Sequence, residues 1–325
     1  RQARARAPML VARIMCMLAL ISLSTATAPP RSRIVVLGGS GFIGSQVCKA
    51  LIGRGCAVTS ISRSGLNTRA APRLDGSQPT VPERFPGEAW VDQVAWVAAD
   101  AAVEGELDEV LAGGVDGAVG CLGAPSLLQM RKDSWNGRAW SDVSRATYAQ
   151  VLAPNALAFD AARRAGAKRC VFIGVAAMAE LAYGGTLPAV YKAKRDAAAA
   201  ARAAFGEDLI ELGPHLVVAA GDPRLRALET GWARGLIGLN KAVGSIGYRG
   251  EDLCTRTSLT PPVSATDLAL AAAAAVTGDV DVGTSERVVM ACDDGDADAR
   301  EVRTLGRHVD GTEAIRNLAR QAEGL

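Results

Sequence analysis

The stretch that most constrains this chain is Arg33-Ile34-Val35-Val36-Leu37-Gly38-Gly39-Ser40-Gly41-Phe42-Ile43-Gly44. An apolar, strand-forming run stops at a glycine cluster. The cluster opens onto Ser45-Gln46-Val47-Cys48-Lys49-Ala50-Leu51-Ile52, which reads as a helix. Gly38, Gly41 and Gly44 give the spacing G-x-x-G-x-x-G. A strand, a tight turn and a helix in that order meet the needs of a dinucleotide pyrophosphate. One glycine makes the turn, one lets backbone N–H groups approach the phosphates, and one lets helix and strand pack closely. The helix N-terminus adds partial positive charge. The expected contact residues are Gly38, Gly39, Ser40, Gly41, Phe42, Ile43 and Gly44, the alternative being a purely structural turn.

Around this stretch, strands are expected at 33–38, 56–62, 90–100, 117–122, 168–174 and 209–212. Helices are expected at about 42–54, 107–112, 143–165 and 188–205. Strands alternating with helices imply an α/β fold, a doubly wound parallel Rossmann sheet with right-handed crossovers. A Pro/Arg/Gly-rich loop at 63–87 and an insertion at 124–142 interrupt the alternation. After Pro214 the pattern weakens. Residues 219–262, rich in Gly and Arg, suit a lid or small C-terminal substrate-side subdomain. A helix capped by Thr266 or Ser264 runs through Val276, and 287–291 is a late strand. The expected organisation is a targeting segment at 1–30, a nucleotide-binding domain at 31–215, a lid subdomain at 216–291, and a polar tail with a helix at 292–325.

Charge is unevenly spread. Residues 1–74 hold eleven Lys/Arg and no acid, whereas the remainder holds 25 basic against 34 acidic residues. The basic segment lacks clustered Lys/Arg with interleaved aromatics, so no nucleic-acid partner is expected. Arg1, Arg4, Arg6 and Arg13 precede the apolar run Ile14–Leu23, and Ala26-Thr27-Ala28 resembles a cleavage site followed by Pro29. A cleavable organellar presequence, for mitochondrion or plastid, fits this, and secretory entry stays open. Aromatic residues make up only 4% of the chain, so the core must be built from Ala, Val, Leu and Ile. The seven cysteines contain no C-x-x-C pair, and Cys121 and Cys170 read as small core residues. Asp293, Asp294, Asp296 and Asp298 lack the closing glutamate of a calcium loop, and no metal site is expected.

An NAD site places an acid about 20 residues after the glycine loop, on the ribose hydroxyls. Here the tip of the second strand is Ser62-Arg63-Ser64, and no acid precedes Asp75. Arg63 between two hydroxyls suits the 2′-phosphate of NADP(H), which a guanidinium binds in a fork. NAD(H) stays open as an alternative. Asp100 reads either as an adenine contact or as a turn residue, and Cys121, Leu122 and Gly123 line the path to the nicotinamide.

Gly38–Gly44, Ser60-Ile61-Ser62-Arg63-Ser64-Gly65 and Trp90-Val91-Asp92-Gln93-Val94-Ala95-Trp96 together resemble the atypical short-chain dehydrogenase/reductases. The similarity is to the branch of the nucleotide-binding accessory subunit of respiratory complex I, a mitochondrial coenzyme Q synthesis protein and plastid lipid-globule relatives. Asn155, Lys194-Arg195-Asp196-Ala197 and Pro261–Ala269 extend it over roughly 33–280. The resemblance implies NADP(H) or NAD(H) binding, an organelle setting, Lys194 at the nicotinamide ribose, and Tyr191, Lys194 and Asn155 as catalytic candidates. It also leaves room for membership of a multi-subunit complex or association with a membrane surface.

In active relatives a tyrosine lies four residues before the lysine, with a serine at the end of the fifth strand. Here Tyr191 lies three residues before Lys194, Val190 takes the family position, and the strand ends in Gly174-Val175-Ala176-Ala177 without a hydroxyl. Tyr183, Ser126 and His215 are loop residues that can enter the cleft instead. Three functions are compatible with this pattern. They are an oxidoreductase on a small hydrophobic substrate, a non-catalytic cofactor-binding subunit or assembly factor, and, more weakly, a sugar-nucleotide epimerase or dehydratase.

Overall fold

The computed structural model describes residues 32–63, 65–67, 81, 85–123, 140–176, 188–214, 217–219, 262–289 and 302–324. The chain alternates β1 (Arg33–Leu37), α1 (Phe42–Gly53), β2 (Ala57–Ser62), β3 (Ala95–Ala98), α2 (Glu106–Leu111), β4 (Gly117–Gly120) and α3 (Trp140–Arg164). It continues through β5 (Arg169–Ile173), α4 (Pro188–Phe205), β6 (Leu209–Gly213), β7 (Val217–Val218), β8 (Val263–Ser264), α5 (Ala265–Thr277), β9 (Thr284–Val289), β10 (Val302–Asp310) and α6 (Thr312–Glu323). The main sheet has the order β3-β2-β1-β4-β5-β6-β10-β9 and is parallel except for β9. This is a doubly wound α/β fold of Rossmann type. Its strand order reverses between β1 and β4, which opens a crevice at their carboxyl ends.

Apolar side chains leave both faces of the sheet, so it is buried on both sides. On one face Ile34, Val36, Val119, Val171 and Ile210 meet α1, α5 and α6. On the other, Val35, Leu37, Ala118, Cys170 and Phe172 meet α2, α3 and α4. Scarcity of aromatics is met by close approach. Ala271–Ala275 of α5 are all fully buried, and a Cβ on Gly117 of β4 would stand 2.8 Å from Val276 Cγ2. Ser264, rather than Thr266, caps α5, its Oγ accepting the Asp267 N–H at 2.9 Å. That bond is worth about 1 kcal/mol.

Two expectations are corrected. The strand expected over 90–100 shrinks to β3, because Val91–Gln93 forms a 3-10 turn. Trp90 packs edge-on against Phe85, with centroids 5.0 Å apart, and Trp96 Nε1 donates to the Val91 carbonyl at 2.8 Å. Tertiary packing of the indoles overrides the strand pattern there. The expected polar tail contributes β10, which lies inside the sheet between β6 and β9, and α6 buries Ile315, Leu318 and Ala319. Among the described residues, no helix is long and apolar enough to cross a membrane. Most of the expected lid at 219–262, the acidic patch at 293–298, and Ser126, Tyr183 and His215 lie outside the described residues.

Candidate functional site

The glycine turn closes as its spacing requires. Gly38 has φ +80, a region that favours glycine, and the Gly41 N–H donates to its carbonyl at 2.9 Å. A Cβ on Gly44 would sit on the Gly38 carbonyl oxygen, so only glycine lets α1 start this close to β1. Gly41 is the N-cap with extended backbone. No side chain caps α1, and its first turn holds no acid. The N-terminal end of α1, at Phe42, Ile43 and Gly44, is thus shaped from backbone, which fits an anionic phosphate. Ser40 is buried, and Gly39 lies against Ser60 Oγ and Cys48 Sγ, so its Cβ position is filled by the β2 and α1 side chains.

At the tip of β2, Ser62 Oγ donates to the Gly65 carbonyl at 3.1 Å, and Gly65 has φ +57. This short turn holds Arg63 exposed beside the crevice, while Ser64 lies outside the described residues. At the end of β3, Asp100 Oδ1 accepts the Ala102 N–H at 3.0 Å, so this carboxylate shapes its own turn.

The end of β4 crosses over the glycine turn. The Cys121 N–H donates to the Leu37 carbonyl at 2.9 Å. A Cβ on Gly38 would stand 3.2 Å from the Cys121 carbonyl and from Leu122 Cδ2. Burial pushes the Cys121 thiol up to about 12 against the opposing pull of Lys194, so the thiol stays neutral. A Cβ on Gly123 would meet nothing within 4 Å, leaving open space beside it.

Behind this segment stand α3 and α4. Asn155 follows Pro154 within α3, and its Nδ2 donates to the Val151 carbonyl at 2.6 Å and reaches the Leu122 carbonyl at 3.5 Å. Its Oδ1 is buried without a protein partner. Lys194 Nζ donates to the Leu122 carbonyl at 3.0 Å and the Ile173 carbonyl at 2.9 Å, and lies 4.9 Å from the Phe172 ring centroid. Burial pushes its ammonium down to about 8. Tyr191 is partly exposed one turn earlier, about 60° round the helix from Lys194, and Val190 is about 40° away on the other side. Lys194 and Asn155 thus come together at one carbonyl, that of Leu122.

Three contributors are absent from the sequence-based expectations. Phe172 and the Ile173 carbonyl engage Lys194, and only the folded neighbourhood of β4 and β5 reveals them. Glu211 has an overt signal, an acid within Leu209-Ile210-Glu211-Leu212. It is 3% exposed, abuts Gly174, and has Arg202 Nη2 at 3.9 Å from its Oε2. Among the described residues no cluster of His, Cys, Asp or Glu is arranged to hold a metal.

Comparison with known proteins places a family on this geometry. Residues 34–185, just under half of the chain, match the model of the NAD dependent epimerase/dehydratase family. An uncharacterised chloroplastic protein of Arabidopsis thaliana is 44% identical over 68 residues, 21% of this chain and 17% of that protein. The MIOREX complex component 2 of Saccharomyces cerevisiae is 32% identical over 68 residues, 21% of this chain and 20% of that protein. The chain thus spans about a fifth of the length of the curated relatives it matches. UDP-glucose 4-epimerase from Brucella ovis, solved with NAD, is 18% identical with TM-score 0.46, over 76% of this chain and 73% of that one. The WbmH enzyme of Bordetella bronchiseptica, solved with NAD+, is 15% identical with TM-score 0.46, over 78% and 73%. Over residues 34–185 the chain is thus similar in sequence to the NAD dependent epimerase/dehydratase family, and its main sheet is of Rossmann type.

Proposed function

We propose that this protein binds NADP(H) in an organelle, in the crevice between β1, β2 and β4, and acts as an oxidoreductase on a small hydrophobic substrate. The observation that carries the cofactor is the backbone cradle of Gly38–Gly44, whose Cβ positions are closed at Gly38 and Gly44 and whose helix end is uncapped by any side chain. Arg63, exposed at the β2 tip in a segment without acids, supplies the preference for a 2′-phosphate over free ribose hydroxyls. The nicotinamide, when bound, supplies hydride chemistry; the chain's own residues hold the phosphates and shape the cleft. The organelle setting rests on the basic, acid-free N-terminal segment and on relatives named as chloroplastic and as a MIOREX component. NADPH and NADH titrations of the purified protein test this. NADPH binds more tightly, and Arg63→Ala removes the difference. Equal affinity for the two before mutation overturns the assignment of Arg63.

A specific observation favours a second reading, a non-catalytic holder of the cofactor within a complex or assembly factor. Lys194 is engaged by main-chain carbonyls, the family tyrosine position is Val190, and β5 ends without a hydroxyl. Single-turnover mixing of the NADPH-loaded protein with quinones and carbonyl compounds separates the two readings. Rapid NADPH oxidation supports the oxidoreductase, and a stable complex supports the holder. Sugar-nucleotide epimerisation is the weaker alternative, since it needs the tyrosine and lysine in register.

A further inference from the structure

Beyond Gly120↔Phe172 the ladder between β4 and β5 has no further paired residue. The β4 chain continues as Cys121-Leu122-Gly123, which runs across the glycine turn, while β5 stays paired with β6 through Ile173↔Leu212. At the point where the β4–β5 ladder ends, one side chain bridges the two strands. Lys194 Nζ donates to Leu122 O at 3.0 Å and Ile173 O at 2.9 Å. The Phe172 ring lies 4.9 Å away on the same ammonium. Bonds from an ammonium to carbonyls are charge-assisted and stronger than neutral ones. Two of the three ammonium donors are thus committed to main-chain carbonyls of separate strands.

We propose that Lys194 is a positioning residue that staples the end of β4 to the end of β5 and thereby fixes Cys121-Leu122 over Gly38. The link to the turn is direct. Cys121 donates its N–H to Leu37, and the Cys121 carbonyl and the Leu122 side chain flank Gly38 at the place its Cβ would occupy. Releasing the Leu122 carbonyl frees the segment that keeps Gly38 in its left-handed conformation. The consequence for affinity rests on the cofactor reading above; the staple itself does not.

The test therefore begins without cofactor. Native-state amide exchange is compared between the wild-type protein and Lys194→Met, which keeps the side-chain length and removes the donors. The Cys121 amide exchanges about tenfold faster in the variant, the effect of losing hydrogen bonds to a charged donor, while Val35 in the middle of β1 is unchanged. Unchanged exchange at Cys121 overturns the staple. NADPH titration of the same proteins follows, and the variant binds about tenfold more weakly, with Lys194→Arg restoring part of the loss. Faster Cys121 exchange in the variant, alongside a wild-type protein that binds no NADPH, supports the staple and sinks the cofactor reading. If Lys194→Met does not fold, the wild-type ammonium itself decides. Protected from solvent by its two carbonyl bonds, its 15N-coupled proton signal is visible near neutral pH. A signal lost to rapid exchange with water overturns the proposal.

Discussion

The two halves of the crevice are built on opposite plans. On the β1–β2 side, the polypeptide clears space: glycines replace side chains, α1 begins without a cap, and Arg63 projects into solvent. On the β4–β5 side, the protein satisfies itself: Lys194 bonds two carbonyls, Asn155 turns back to Val151, and the strand end offers no hydroxyl. The first half is shaped for something the chain does not contain. The second turns the Lys194 ammonium and the Asn155 Nδ2 onto main-chain carbonyls, and among the described residues only Asn155 Oδ1 stays buried without a protein partner there. Under the proposed function, binding and chemistry are thus separable demands, one placed on each side of the crevice.

The sharpest way to break the contrast is at Gly44. Gly44→Ala puts a methyl on the Gly38 carbonyl, and backbone cannot yield cheaply there. We expect NADPH affinity to fall by about hundredfold or more, near 3 kcal/mol, in isothermal titration. Near-wild-type affinity would mean the cradle is not the phosphate site.

Next in size is the pH dependence of the other half. The unfolded chain keeps the Lys194 proton up to its ordinary value of 10.5, whereas the native protein releases it near 8. Between those values the unfolded state holds more protons, so this group makes stability rise as pH rises. The contribution reaches about 2 kcal/mol, and denaturant midpoints measured from pH 7.5 to 10.5 show it. In Lys194→Met that rise is lost, and a variant with the wild-type slope would place the ammonium in water.

Arg63→Lys tests shape against charge on the open side. The charge remains while the two-pronged donor goes, so the preference for NADPH drops by about three- to tenfold without vanishing. The smallest expected effect is that of Tyr191→Phe. It leaves NADPH affinity and any NADPH oxidation rate within about twofold, because Tyr191 stands three residues before Lys194 rather than four, about 60° round the helix from it. A loss of two orders of magnitude in oxidation would move the chemistry back to Tyr191 and erase the contrast.

What was legible in the sequence follows the same division. The glycine turn was readable because its constraint is local, set by neighbours within a few residues. So were the boundaries of α4 and the capping hydroxyl of α5, for which Ser264 prevailed over Thr266. The 90–100 segment misled because Trp90, Val91, Val94 and Trp96 are strand-forming residue types, while Trp90 packs between Phe85 and Trp96 and Val91–Gln93 forms a turn. β10 was hidden by composition. Arg303, Thr304, Arg307 and His308 read as a polar tail; Arg303 and Thr304 pair with nearby β9, but what sets Arg307 and His308 in the sheet is β6, far away in the chain. The direction of Lys194 was illegible for a related reason, since its two acceptors are main-chain atoms of separate strands.

That far partner has a kinetic meaning. β10 meets β6 through pairs such as Asp310↔Gly213, so the β6 edge of the parallel sheet stays open until residues 307–310 have left the ribosome. During synthesis the β1–β6 half can assemble first, with the β6 backbone donors and acceptors still unpaired, and closure waits for a loop of almost a hundred residues. An unprotected edge of that kind invites pairing between nascent copies. By pairing with β6 on one side and β9 on the other, β10 therefore covers the β6 edge, and removing residues 302–310 is expected to turn a folding protein into an aggregating one.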